Sequence, residues 1–131
     1  MGEGILRAKT NYDPEISVNS AGLDTTGMRE KYDNRPHPKV IFVMQEIGID
    51  ISNQQITQVT PELLEDSTQI IILTSEQELP DYFQNYRDKM FIFPIEDPAP
   101  GDTDDVELQR LRDIRDQIEL AMSQIDLSYN L

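Results

Sequence analysis

The sequence contains neither cysteine nor tryptophan. Without cysteine these 131 residues hold no disulfide, no thiolate nucleophile and no cysteine metal ligand. Histidine occurs once, as His37, which excludes a histidine metal cluster. Cations are scarce: 11 Lys plus Arg stand against 25 Asp plus Glu, a formal net charge of -14. Nucleic-acid backbones and anionic lipid surfaces both need a positive face, so neither is an expected partner. No apolar run approaches the roughly 20 residues of a membrane helix. The stretch Met1 to Arg7 has no apolar signal-peptide core. A phosphate loop of the Gly-x-x-x-x-Gly-Lys type is also missing. No cofactor is expected. What remains is a soluble, self-repelling chain, expected in the cytoplasm and long enough for one α/β domain over residues 1–131.

Met90 to Pro98 is the most pointed stretch. An apolar run, Met90 to Phe93, stops at Pro94 and delivers the carboxylate of Asp97 onto a loop pinned by Pro98. Four apolar residues between a charged stretch and a proline read as a short buried strand. A charged group just past the carboxyl end of such a strand lies where open α/β sheets hold ligands. Pro98 biases Asp97 toward extended backbone, although an Asp before Pro also suits an ordinary turn.

In chain order, Met1 to Lys9 reads as a helix already under way, because no Ser, Thr, Asp or Asn caps it. Its uncapped start makes the chain look cut there. Ile16 to Ser20 alternates and predicts a strand, and residues 21–38 predict a long loop. Val40, Val43, Met44 and Ile47 give a helical stripe after Pro38, stopped by Gly48. Thr60 is a cap with Pro61 in the first helical position. Gln69 to Leu73 is the most hydrophobic run, with β-branched Ile70, Ile71 and Ile72 at its centre, and predicts a strand buried on both faces, as in a parallel sheet. Ser75 and Glu78 form a capping-box pattern, with Pro80 as a competing start. Asp102 or Thr103 caps a last helix with Leu111, Ile114, Ile118, Ala121 and Ile125 buried. Arg110, Arg112, Asp113, Arg115, Asp116 and Glu119 are assigned to its solvated side. Strands alternating with helices predict an open parallel sheet flanked by helices on both faces.

Other candidates carry less. Asp102, Asp104 and Asp105 lack calcium-loop spacing and suit a helix N-terminus. His37 sits between two prolines and reads as an exposed loop residue. The five tyrosines are scattered.

Several stretches together resemble the low-molecular-weight protein tyrosine phosphatase superfamily, which includes related arsenate reductases. They are Met1-Gly2-Glu3-Gly4-Ile5-Leu6-Arg7, Val18-Asn19-Ser20-Ala21-Gly22, Val43 through Ser52, Thr60-Pro61-Glu62-Leu63-Leu64, Glu96-Asp97-Pro98-Ala99 and Arg115-Asp116-Gln117-Ile118. They occur in the family's order and span nearly the whole chain.

The resemblance implies hydrolysis of phosphomonoesters, with a phosphoprotein or small oxyanion as substrate. In the family a Cys-x5-Arg-Ser loop cradles the phosphate at a helix N-terminus. Its thiolate attacks phosphorus, and the Asp of the Asp-Pro loop protonates the leaving group. Asp97 is thereby the implied general acid. Met1 aligns just after that loop's Ser, so the first strand, nucleophile and arginine are expected upstream. The chain as it stands is therefore expected to be inactive. A non-catalytic binding or regulatory remnant is the alternative, and a relative of arsenate reductase is another. In some reductases two further cysteines follow the strand equivalent to Gln69–Leu73; Thr74 and Leu79 occupy those places here. Without the family's interior first strand, three outcomes are open. Ile16–Ser20 pairs with Gln69–Leu73, a second copy joins through exposed strand edges as a homodimer, or the fold loosens.

Overall fold

Ile70, Ile71 and Ile72 form the first of two short strands that carry the fold. In the computed structural model, which describes residues 1–23, 35–95 and 103–125, β1 (Ile70–Ile72) pairs in parallel with β2 (Met90–Ile92). The register sets Ile70 against Met90 and Ile72 against Ile92. Side chains alternate across a strand, so the isoleucines serve both faces. Ile70 and Ile72 enter a core with Leu64 and Phe83. Ile71 faces a second core of Ile5, Met44, Ile49, Ile51, Ile118, Met122 and Ile125.

Helices cover both sides. On the Ile71 side lie α1 (Gly2–Lys9), α2 (Pro38–Gln45) and α4 (Asp104–Ser123). On the other lie α3 (Pro61–Asp66) and a 3-10 segment, Asp81–Lys89, broken at Tyr86. The crossover between two parallel strands is normally a helix; here it is 3-10 turns, because Pro80 divides the segment. Glu76–Glu78 forms a first short turn, and Pro80 caps the second. The Ser75 hydroxyl makes no capping bond, so the capping-box expectation fails and the start at Pro80 holds. Among the described residues no helix is long and apolar enough to cross a membrane.

The helix ends follow their sequence signals. Thr60 Oγ1 accepts from the Leu63 N–H at 3.3 Å, and Thr103 Oγ1 from the Val106 N–H at 3.3 Å. Gly48 ends the α2 turn at φ +79°, a conformation that favours glycine.

Three expectations need correction. Ile16–Ser20 is not a paired strand, and among the described residues it does not pair with β1. The Val18 carbonyl is taken by the Arg7 guanidinium at 2.5 Å. The chain finds a β partner further on, where Gly22 bridges Gln58 in parallel. β2 is also not buried: among the described residues it has one strand neighbour, and Phe91 is 39% exposed. Finally, Arg115 is not on the solvated side of α4 but only 9% exposed.

Candidate active site

Parallel strands place ligands beyond their carboxyl ends, and in this fold the first turn of α1 stands there. A Cβ built on Gly2 would lie 3.0 Å from Leu73 Cδ1 and 3.4 Å from Met122 Cε. Leu73 follows β1 directly, so glycine at position 2 lets the helix start close over the strand end. The N-terminal turn of a helix presents unpaired N–H groups and positive dipole, which suits an anion.

Pairing continues past Pro94, contrary to the sequence expectation that the proline stops the run. The Phe93 N–H donates to Ile72 O at 2.8 Å, and the Ile95 N–H donates to Leu73 O at 3.1 Å. Proline lacks an N–H, but position 94 points away from β1 on an edge strand, where none is needed. A regular parallel ladder would use alternate carbonyls. Here two consecutive carbonyls are used, so the pairing slips by one residue, as at a bulge.

Asp97, with its neighbours Glu96 and Pro98, lies outside the described residues, as does Asp102. The described chain therefore brings together the Gly2 turn, Leu73 and Ile95.

A second set of contacts fixes α1 from its other side. Ser20 Oγ donates to Glu3 Oε1 at 2.9 Å, and Arg7 Nε lies 3.4 Å from Glu3 Oε2. The i, i+4 spacing of Glu3 and Arg7 is the signal that the sequence reading left unused. Beside them opens a polar cleft of about 590 Å³, lined by Glu3, Arg7, Ser20, Asp50, Asn53 and Gln54.

His37 proves to be a cap: its Nδ1 accepts from the Lys39 N–H at 3.0 Å. That corrects its reading as a loop residue, since a ring nitrogen can play the part of a capping oxygen. Asp104 pairs with Lys39 at 2.9 Å, and Glu107 also binds that ammonium. Lys39 is pushed above its usual value, first by the Glu107 hydrogen bond and then by that of Asp104. Among the described residues no group of His, Asp or Glu could hold a metal ion. Thr74, at one of the places where some reductases carry cysteine, hydrogen-bonds Glu78.

The residue that sequence reasoning missed is Arg115. Its Nη1 donates to Val43 O at 2.8 Å and to Glu46 Oε1 at 2.9 Å. Val43 belongs to the last turn of α2, whose carbonyls have no partner within the helix. Arg112 adds two bonds to Glu46 Oε2, from Nη2 at 2.8 Å and Nε at 3.1 Å, and joins α4 to α2. The Arg112 hydrogen bond is the main cause that holds the Glu46 carboxyl below its ordinary value, with desolvation opposing it and Arg115 assisting. A carboxyl lowered in the folded state contributes stability that is full above the unfolded pKa. That contribution fades as pH falls through the folded value. Glu46→Gln is therefore expected to reduce stability at pH 7. Acid unfolding below about pH 4 should then be shallower than for the parent, by urea titration at several pH values.

No family model matches the chain. Its relatives are nonetheless clear. It is 31% identical to an arsenate reductase of Staphylococcus aureus strain Newman over 117 residues, which is 88% of this chain and 78% of the relative. Vibrio vulnificus Wzb, solved in complex with benzylphosphonate, superposes with a TM-score of 0.74 at 20% identity. The match covers 93% of this chain and 84% of Wzb. The Erwinia amylovora tyrosine phosphatase AmsI gives 0.72 at 21% identity, over 93% of this chain and 78% of AmsI.

Proposed function

Because the chain belongs to the superfamily that joins low-molecular-weight protein tyrosine phosphatases with arsenate reductases, we propose that it carries the proton-donating half of an oxyanion site. Asp97 is the donor. The observation that carries this reading is the hydrogen bond from Ile95 to Leu73 O beside the first turn of α1. Asp97 follows Ile95 by two residues, a reach of at most about 7 Å. A residue before proline is biased away from the helical region, and Asp97 precedes Pro98, which supports this reading. A phosphomonoester or similar oxyanion is the substrate class that such a site serves. An acid beside the leaving oxygen speeds its departure by proton transfer in the transition state, typically 10²–10⁴-fold.

The covalent step needs a nucleophile, and the family's is a thiolate. These 131 residues contain none. This polypeptide alone therefore completes no phosphatase cycle. Incubated with an aryl phosphate near pH 6, the purified chain and its Asp97→Asn variant are both expected to release phenolate at the buffer rate. Saturable turnover by the parent chain, reduced in Asp97→Asn, would refute inactivity while supporting Asp97.

The 31% identity to an arsenate reductase favours that branch as the second reading. Glu96-Asp97-Pro98-Ala99 fits it better than an aromatic Asp-Pro-Tyr form. A relay that passes a disulfide outward needs cysteines, and Thr74 and Leu79 stand where they are expected. Arsenate added to the chain with a thiol reductant should leave the reductant's oxidation rate unchanged.

A further inference from the structure

Two helices, α3 and α4, are capped by threonine hydroxyls, which do not titrate. The cap of α2 is different in kind, because His37 is a side chain that changes charge. Its backbone is extended, at φ −58° and ψ 141°, and Pro38 takes the first helical position. A residue before proline is held in that region, so the chain itself delivers the ring to the cap. Pro36, on the other side, is buried. Nδ1 then accepts from the Lys39 N–H at 3.0 Å.

An imidazole nitrogen accepts only through its lone pair. This bond therefore requires the neutral ring with its hydrogen on Nε2. In the imidazolium both nitrogens are donors, so Nδ1 would present a hydrogen to the Lys39 N–H and the cap would be lost. The positive end of the helix dipole also opposes a cation at this place. The charged groups that share this end of α2 come from both sides. Arg35, two residues earlier, donates to Ser52 O at 3.1 Å. Lys39 lies on the same turn, and its ammonium pairs with Asp104 and Glu107 of α4. Arg110 follows one turn along α4. The two carboxylates of this group are thus already engaged by Lys39.

We propose that His37 is a proton-sensitive latch on α2: the neutral ring closes the helix start, and protonation opens its first turn. Histidine is the residue whose charge ordinarily changes between about pH 5 and 8, so the latch works within that window. Val43 and Met44, one turn on, are fully buried and hold the rest of the helix in place. The opening is therefore local. It reaches α4 through Lys39, which belongs to the released turn and holds Asp104 and Glu107. Nothing in this inference depends on the role of Asp97.

The test uses the full chain, His37→Asn and His37→Ala. Val40 and Ile41 both donate their amides to His37 O, at 2.9 and 3.1 Å. Their hydrogen-exchange protection factors are measured by NMR at pH 8 and pH 5, with Ile118 of α4 as reference. In the parent chain both are expected to fall about fivefold at pH 5, the factor that loss of a typical cap represents, with Ile118 unchanged. His37→Asn keeps an accepting oxygen that does not titrate and should stay protected at both pH values. His37→Ala should be low at both. The ring nitrogen shifts of the parent at pH 8 should report the hydrogen on Nε2. Protection in the parent that does not change with pH would overturn the proposal. So would an equal fall at Ile118, a fall in His37→Asn as large as the parent's, or a neutral ring with its hydrogen on Nδ1.

Discussion

Gly4→Val should be the most damaging single substitution in α1. A Cβ at Gly4 would sit 2.7 Å from Ile51 Cγ2 and 3.1 Å from Ile49 Cγ2. Real Cβ atoms do not tolerate the first distance, and Ile51 is 1% exposed, so it has nowhere to retreat. Valine adds two further methyls to the same place. Its better helix propensity returns under about 1 kcal/mol. Overpacking of a tight core costs about 1–3 kcal/mol, occasionally more. We expect a net loss of about 3 kcal/mol and a Tm lower by roughly 10 °C, read by circular dichroism. Gly4→Ala should fall between the two proteins. An unchanged Tm in Gly4→Val would mean that α1 does not lie against the 49–51 segment.

Arg115→Ala should come next, with a loss of about 2–3 kcal/mol. Three things go together. The Val43 carbonyl loses its donor at the end of α2. Glu46 keeps Arg112 but loses its second arginine. The aliphatic stem of Arg115 leaves a hole in the buried face of α4. The Glu46 side chain is 31% exposed, so the ion pair itself is screened and carries the smaller share. Arg115→Met retains the stem and should recover part of the loss, while Arg112→Ala should cost clearly less than Arg115→Ala, because its ion pair is exposed and screened. Urea unfolding of the three variants separates the terms. An Arg115→Ala midpoint equal to that of Arg112→Ala would show that burial of the guanidinium contributes nothing.

The outline of this fold was legible where local chemistry and packing agree. Ile70 to Ile72 is β-branched and apolar without a break, and it became a strand with a core on each side. Thr60-Pro61 and Thr103 became caps because a hydroxyl there has a free N–H to bind. Elsewhere the alternation of Ile16 to Ser20 resembled a strand, but the Val18 carbonyl is held by Arg7 and the residues have no ladder. The apolar run from Met90 looked buried because a sequence does not show which strand is last in a sheet. Arg115 was misread by residue type. Its position, four after Leu111 and three before Ile118, lies on the apolar stripe, and a helical count alone would have placed it inside. Pro94 has the residue type of a strand stop, yet an edge strand has one side on which a missing N–H does no harm. For the site, the family resemblance implies Asp97 as the acid, and the sequence holds no thiol. The role of Glu3, Arg7, Ser20 and Leu73 in holding α1 depends on contacts between distant segments, which no local pattern encodes.

The central proposal is a chemical one: Asp97 is the acid of this fold, and the chain holds no thiolate to accept a phosphoryl group. Intact-mass spectrometry of the chain, acid-quenched within seconds of mixing with excess aryl phosphate, tests it most directly. The account predicts one species, at the unmodified mass. A second species heavier by one phosphoryl group, more persistent in Asp97→Asn, would reveal another nucleophile and contradict the claim.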